Sequence, residues 1–180
     1  MSGYYPKPCS VEDGIQYARD IVSGQIVACK AIKAQCRIFL NDYDQNQHTD
    51  DFRWRFDEAK ARHVITYVQL LNFIEGEVAG KPVRLSPWQA FFFLNLYGWV
   101  DKTDAEIRRY TRAICMVGRK NAKSTILATL ALYETMYGPE GSQIVTLATS
   151  RDQAKLVWNM SGRMAQMSDR SVNRHAILTP

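Results

Sequence analysis

Ala113-Ile114-Cys115-Met116-Val117-Gly118-Arg119-Lys120-Asn121-Ala122-Lys123-Ser124 is the stretch on which the fold turns. Its first five residues are continuously apolar, the pattern of a strand buried on both faces of a parallel sheet. Gly118 to Ala122 read as a short loop. Lys123 and Ser124 then open a helical pattern through Ile126, Leu127, Leu130 and Tyr133/Glu134. Strand, loop, Lys-Ser and helix in that order are the layout of a phosphate-binding P-loop. In such a loop the backbone N–H groups and the helix N-terminus point at phosphate oxygens. A lysine at position 123 pairs with the β- and γ-phosphates, and the Ser124 hydroxyl ligates Mg²⁺. The spacing departs from G-x-x-x-x-G-K-[ST]: Val117 and Ala122 stand where that pattern has glycines, and Gly118 comes one place late. An alanine forced into a left-handed conformation costs about 1–2 kcal/mol, so the loop must follow another path or carry strain. A basic turn between a core strand and a helix is the alternative reading.

A second apolar, β-branched run, Gln143 to Ala148, follows the turn at Gly138 to Ser142, and Thr149 or Ser150 caps a helix from about Arg151 to Met167. The second half therefore reads β-α-β-α, which predicts a parallel sheet flanked by helices. The expected class is α/β: an incomplete P-loop NTPase sheet over residues 85–180, preceded by a helical region over residues 1–84.

That helical region has its own punctuation. Ser10 and Asp13 form a capping-box pair, predicting a helix from Val11 to about Ser23 that ends at Gly24. A second helix is expected from Gln25 to about Asp42, with Ile26, Cys29, Ile32, Cys36, Phe39 and Tyr43 as its apolar stripe. Lys30, Lys33 and Arg37 lie off that stripe, on a solvated face or one able to touch phosphate. Phe52-Arg53-Trp54-Arg55-Phe56 alternates aromatic and basic residues, a strand signature with one buried face, or a stacking surface for single-stranded nucleic acid. Asp57 caps a helix expected to reach Ile74. Ser86 and Pro87 start another, running to about Tyr97, with Gln89 in its first turn. An amide there can both donate to and accept from an adenine edge; a polar first-turn residue is the alternative. Asp101 to Glu106 read as a polar loop.

The chain has 180 residues and a net charge of +5, compatible with a polyanionic partner. Its four cysteines, Cys9, Cys29, Cys36 and Cys115, contain no C-x-x-C pair, so free thiols in a reducing compartment are expected. Zinc held by Cys29, Cys36 and His48 or His63 fits no standard spacing. The longest apolar run, Phe91 to Val100, is broken by Asn95 and Gly98 and is too short to span a bilayer. A cytosolic protein without a membrane segment is expected.

Three segments in order carry a resemblance. Arg119-Lys120-Asn121-Ala122-Lys123-Ser124 resembles the deviant P-loop of tailed-phage terminase large subunits, which places an arginine early and Lys-Ser/Thr last. Leu85-Ser86-Pro87-Trp88-Gln89, with Phe91 and Gly98-Trp99, is similar to that family's adenine-recognition segment. Ala148-Thr149-Ser150-Arg151-Asp152-Gln153-Ala154 resembles the segment after its second strand, and the N-terminal helices around Tyr17-Ala18 and Cys29-Lys30 are also similar.

The resemblance implies an ATPase motor that pumps viral double-stranded DNA into a capsid, with ATP and Mg²⁺ as cofactors. Its implied partners are the portal protein, the small terminase subunit and further copies of itself, in the host cytoplasm. Carried over by residue, Gln89 contacts adenine, Gly118 to Thr125 wrap the phosphates, Ser124 holds Mg²⁺ and Arg119 acts on the γ-phosphate. The family also needs an apolar strand ending in Asp-Glu. After the P-loop the acidic residues are only Glu134, Glu140, Asp152 and Asp169, and none ends a third predicted strand. The implied reading is a truncated frame or one piece of a split gene, probed by the genomic sequence just past codon 180. A non-catalytic remnant or docking module for portal or small subunit, and another helicase-like P-loop ATPase, are the competing functions.

Overall fold

The computed structural model describes residues 6–168, which divide into two compact units: residues 6–66 with 84–114, and residues 67–83 with 115–168. Residues 84–114 belong with the first unit because their apolar helix completes its core.

In the first unit, α1 (Val11–Ser23) begins as expected: Asp13 N–H donates to Ser10 Oγ at 3.2 Å and Ser10 N–H to Asp13 Oδ2 at 2.8 Å. Gly24 closes the helix at φ 88°, a left-handed position that suits glycine. Then α2 (Lys30–Asp44) starts five residues later than the apolar spacing predicts, because Cys29 is its extended N-cap and residues 25–28 remain non-helical. After a 3-10 turn (Asn46–His48) come β1 (Trp54–Phe56), α3 (Glu58–Leu70), α4 (Pro87–Gly98) and β2 (Trp99–Asp101). The last turn of α3, from Tyr67, is counted with the second unit.

α4 is apolar nearly all round, which marks an internal helix; it buries Ala90, Phe91, Phe93, Leu94 and Tyr97. It lies so close to α1 that a Cβ on Gly14 would stand 2.5 Å from Leu94 Cδ2 and 3.0 Å from the Phe91 nitrogen. β1 and β2 pair antiparallel with Trp54 opposite Asp101, Arg55 opposite Val100 and Phe56 opposite Trp99. Sequence reading missed β2: Trp99 and Val100 lie past the expected helix end at Tyr97, and Asp101 reads as the start of a polar loop. Phe39 of α2 meets Phe56, Phe91 and Trp99 edge-on at 5.7, 5.2 and 5.8 Å, a geometry aromatic quadrupoles favour. The aromatic–basic alternation of residues 52–56 is thus absorbed locally. Phe52 and Phe56 pack on Trp99, Arg53 pairs with Asp101 and Arg55 with Asp57.

The second unit is built on α5 (Lys123–Tyr137) and α6 (Arg151–Met167). They bury Ile126, Ala128, Thr129, Leu132, Met164 and Ala165, and Ser161 Oγ donates to Ala128 O at 3.3 Å. Tyr67 packs on Tyr133 and Tyr137 at 5.5 and 5.3 Å. α3 stops at Leu70 rather than Ile74, because the next residues are claimed by other partners. Asn72 bridges Pro82, and its amide groups donate to Ser168 Oγ and Met167 O at 3.1 and 2.7 Å.

The mixture of helices with a small sheet is consistent with part of an α/β domain, while the expected parallel sheet is not seen among the described residues. Among the described residues, 113–117 and 143–148 carry no strand, and the one sheet is the antiparallel β1–β2 pair. Cys115 and Val117 are half-buried, whereas Ile114 is 87% and Met116 89% exposed; likewise Ile144 and Thr146 are half-buried beside Val145 at 71% and Leu147 at 90%. Each segment therefore has one covered side and one open side. A strand buried on both faces needs ladder neighbours and helices on each face. A continuous apolar run signals the need for burial without supplying those neighbours.

Candidate nucleotide-binding site

The candidate residues fall in both units: Gln89 in the first, and Gly118 to Thr125 in the second. The loop is shaped by two left-handed residues, Lys120 at φ 65° and Ala122 at φ 54°. Gly118, the loop's glycine, has no positive φ. Ala122 thus carries the strain that its place in the spacing implies. Asn121 ties the turn together, its Nδ2 donating to Arg119 O at 3.2 Å and Gly118 O at 3.4 Å. Strained non-glycine backbone of this kind persists where the surroundings over-determine it, and it clusters at ligand sites.

α5 starts directly behind this turn. Ala122 is its N-cap and has no side chain able to cap it. Ile126 N–H is the first of the helix to reach a backbone carbonyl, Ala122 O at 2.9 Å. The amides of Lys123, Ser124 and Thr125 are those a helix leaves without an internal partner. No acidic residue lies in the first turn to compensate the dipole. Arg119, Lys120, Lys123 and Ser124 are exposed, and none of the three cations makes an ion pair among the described residues. Unoccupied amides, a hydroxyl and three uncompensated cations form a donor set for phosphate oxygens, and the Ser124 hydroxyl suits a hard cation such as Mg²⁺.

Among the described residues no carboxylate completes that set. Glu134 is half-buried in α5, Glu140 lies in an exposed turn, and Asp152 is exposed in the first turn of α6. Asp169 lies outside the described residues. Among those described, no group of three or more His, Cys, Asp or Glu side chains is placed to hold a metal. Cys29 is the exposed cap of α2, whereas burial pushes the Cys36 thiol up to about 11.

In the first unit Gln89 is buried in the first turn of α4, and its Oε1 accepts from Ser86 N–H at 2.9 Å. The carboxamide is thereby oriented by the helix start. Just before it lies a cavity of about 320 Å³ walled by Pro6, Lys7, Cys9, Arg84, Ser86 and Pro87; Gln89 is not among its lining residues. Arg84 Nε donates to Pro6 O at 3.1 Å, holding one wall to the other. Burial, then Asp13, push the Cys9 thiol up to about 11. Sequence reading missed this concavity, because its walls come from segments almost eighty residues apart. No described helix is long and apolar enough to cross a membrane.

Residues 87–179 match the family model of the terminase large subunit ATPase domain, a span of just over half the chain. The chain is also 32% identical, over 114 residues, to the large terminase subunit of Enterobacteria phage HK97. That match covers 61% of this chain and 21% of the relative. No solved structure matches the chain.

Proposed function

Because this chain belongs to the terminase large subunit family through its ATPase domain, we propose that it is the ATP-binding part of a viral DNA-packaging motor, in which ATP hydrolysis drives translocation of double-stranded DNA into a capsid. The observation that carries the reading is the loop at residues 118–125: two left-handed residues ahead of an uncapped helix N-terminus, ringed by three unpaired cations. Loop amides and Lys123 cradle the phosphates, the Ser124 hydroxyl faces the cation, and Arg119 reaches the terminal phosphate, where charge develops during transfer. Mg²⁺, when bound, neutralises charge on the β- and γ-oxygens. Gln89, its carboxamide oriented by Ser86, contacts the adenine edge. Portal protein, small terminase subunit and further copies of the chain are its partners, in the host cytoplasm.

The chain alone binds nucleotide but does not turn it over at a motor's rate. Positioning and charge stabilisation supply nearly all catalysis in phosphoryl transfer, and no described carboxylate stands where it can orient water. Each absent contribution of about 1.36 kcal/mol lowers the rate tenfold. Calorimetry with Mg-ATP tests the binding site: the heat disappears in Lys123→Ala, and equal heats for the two proteins would sink the phosphate assignment. Steady-state phosphate release tests the rest. A Lys123-dependent rate on the order of 1 s⁻¹ would mean that a working carboxylate is present after all.

A further inference from the structure

The outer face of α2 carries Lys30, Lys33 and Arg37 at spacing i, i+3, i+7, opposite the buried Cys36, Phe39 and Asp42. Lys30 and Arg37 are exposed and Lys33 half-buried, with Ala34 and Asn41 between and beyond them. Six cations elsewhere in the first unit are matched to carboxylates: Arg19 to Asp44, Arg53 to Asp101, Arg55 to Asp57, Lys60 to Glu106, Arg62 to Glu12 and Glu58, and Arg109 to Asp42. The α2 row has no such partner among the described residues. The carboxylate nearest in register at the far end of the face, Asp44, is already held by Arg19 at 2.8 Å.

Their position on the helix makes this more telling. Lys30 and Lys33 stand in the first turn, where the helix dipole is positive and acidic residues are the stabilising choice. The first turn of α2 contains no acidic residue, and Cys29 supplies no side-chain cap. Two cations and uncapped amides therefore reinforce one another, an arrangement that works against the helix in isolation. A local choice that opposes folding marks a functional constraint, and an anion laid along the row relieves both the repulsion and the uncapped end.

We propose that this face of α2 lies against the phosphate backbone of duplex DNA. The row spans about 10.5 Å at about 1.5 Å per residue, and one DNA strand offers a charge every ~3.4 Å of axis, so three long side chains reach separate phosphates. The three cations are assigned to phosphates, which carry no sequence information, so binding through them is independent of sequence and strongly salt-dependent. The inference rests on the DNA-packaging reading, since it names where the DNA touches, but not on the nucleotide loop.

The test is fluorescence anisotropy of a labelled 30-base-pair duplex with the 180-residue chain, between 50 and 200 mM salt. Neutralising three phosphate contacts contributes a slope of about −2.7 to log K against log salt, at ~0.9 per phosphate. The triple variant Lys30→Gln/Lys33→Gln/Arg37→Gln loses that part of the slope and binds at least tenfold more weakly at 50 mM, with its helical circular dichroism unchanged. The variant Arg19→Gln/Arg62→Gln, which removes surface charge from paired positions, changes the slope by less than about 1. An unaltered slope in the triple variant, or no salt-dependent binding by the parent chain, overturns the proposal and leaves the row to solvent or an acidic protein surface. The Mg-ATP heat of the same preparations reads the nucleotide site separately, so failure of either reading is visible without the other.

Discussion

The two units close their interiors in different ways. In the first, the Phe39, Phe52 and Phe56 rings converge on Trp99, which is fully buried, and several polar side chains at the margin find defined partners. Asp42 is one of them, 4% exposed and bonded to Arg109 at 2.7 Å and Asn46 at 2.6 Å. Arg109 also lies over the Phe52, Trp99 and Tyr110 rings. In the second unit, α5 and α6 bury one seam, yet two extended apolar segments keep a side open. A helix meets its backbone hydrogen bonds from within, whereas an extended segment depends on neighbours distant in sequence. Local signals therefore suffice for most helix ends in both units, and leave the predicted strands of the second unpaired.

The sharpest way to break this comparison is truncation on each side of it. Trp99→Ala removes the ring at the centre of the first unit and is expected to cost about 3–5 kcal/mol, read by denaturant unfolding. Met116→Ala, at an 89% exposed position, should change stability by no more than about 0.5 kcal/mol. A large effect at Met116 would show that the open segment is covered in solution.

Asp42→Asn comes next. It leaves the Arg109 guanidinium without its charged acceptor and should cost about 1.5–3 kcal/mol. A double-mutant cycle with Arg109→Gln would show coupling between the two; additive effects would reduce the pair to separate packing contributions.

Ala122→Gly sharpens the other side of the comparison, since it removes a left-handed alanine without deleting a contact. It should stabilise the protein by about 1 kcal/mol, less the glycine's gain of freedom when unfolded. Unchanged or lowered stability would mean that Ala122 adopts another conformation in solution.

The smallest effect belongs to acid. Asp101 accepts from the Thr103 hydroxyl and backbone N–H at 2.7 and 2.8 Å and pairs with Arg53, and these hold its carboxyl well below the ordinary 3.8. A depressed folded value means that the stabilisation is complete above about pH 4 and is lost as pH falls toward the folded value. Asp101→Asn should therefore flatten the stability profile below pH 4. An identical acid limb in the variant would assign the loss to other carboxylates.

Which parts of this were legible depends on the range of the interactions that decide them. Ser10 and Asp13, Gly24, Ser86-Pro87 and Ser150 announce helix ends because capping acts within four residues, and those ends lie where the residues place them. Lys123-Ser124 at the head of α5, behind a turn that strains an alanine, was equally readable. Spacing marked Ala122 as the position lacking its glycine, and the backbone there is left-handed. The family, too, was written in three short segments.

Tertiary structure alone decided the rest. β2 exists because Trp99 to Asp101 find β1 across more than forty residues, and α3 ends at Leu70 because Asn72 is bonded to Ser168. The cavity before α4 joins residues 6–9 to residues 84–87. That Lys30, Lys33 and Arg37 have no carboxylate partner among the described residues, while Arg19, Arg53, Arg55, Lys60, Arg62 and Arg109 do, is likewise a tertiary fact. Apolar runs at 113–117 and 143–148 state how much surface seeks burial, but a ladder partner is a property of the surrounding fold, since strand hydrogen bonds, unlike those of a helix, are never made within the segment itself.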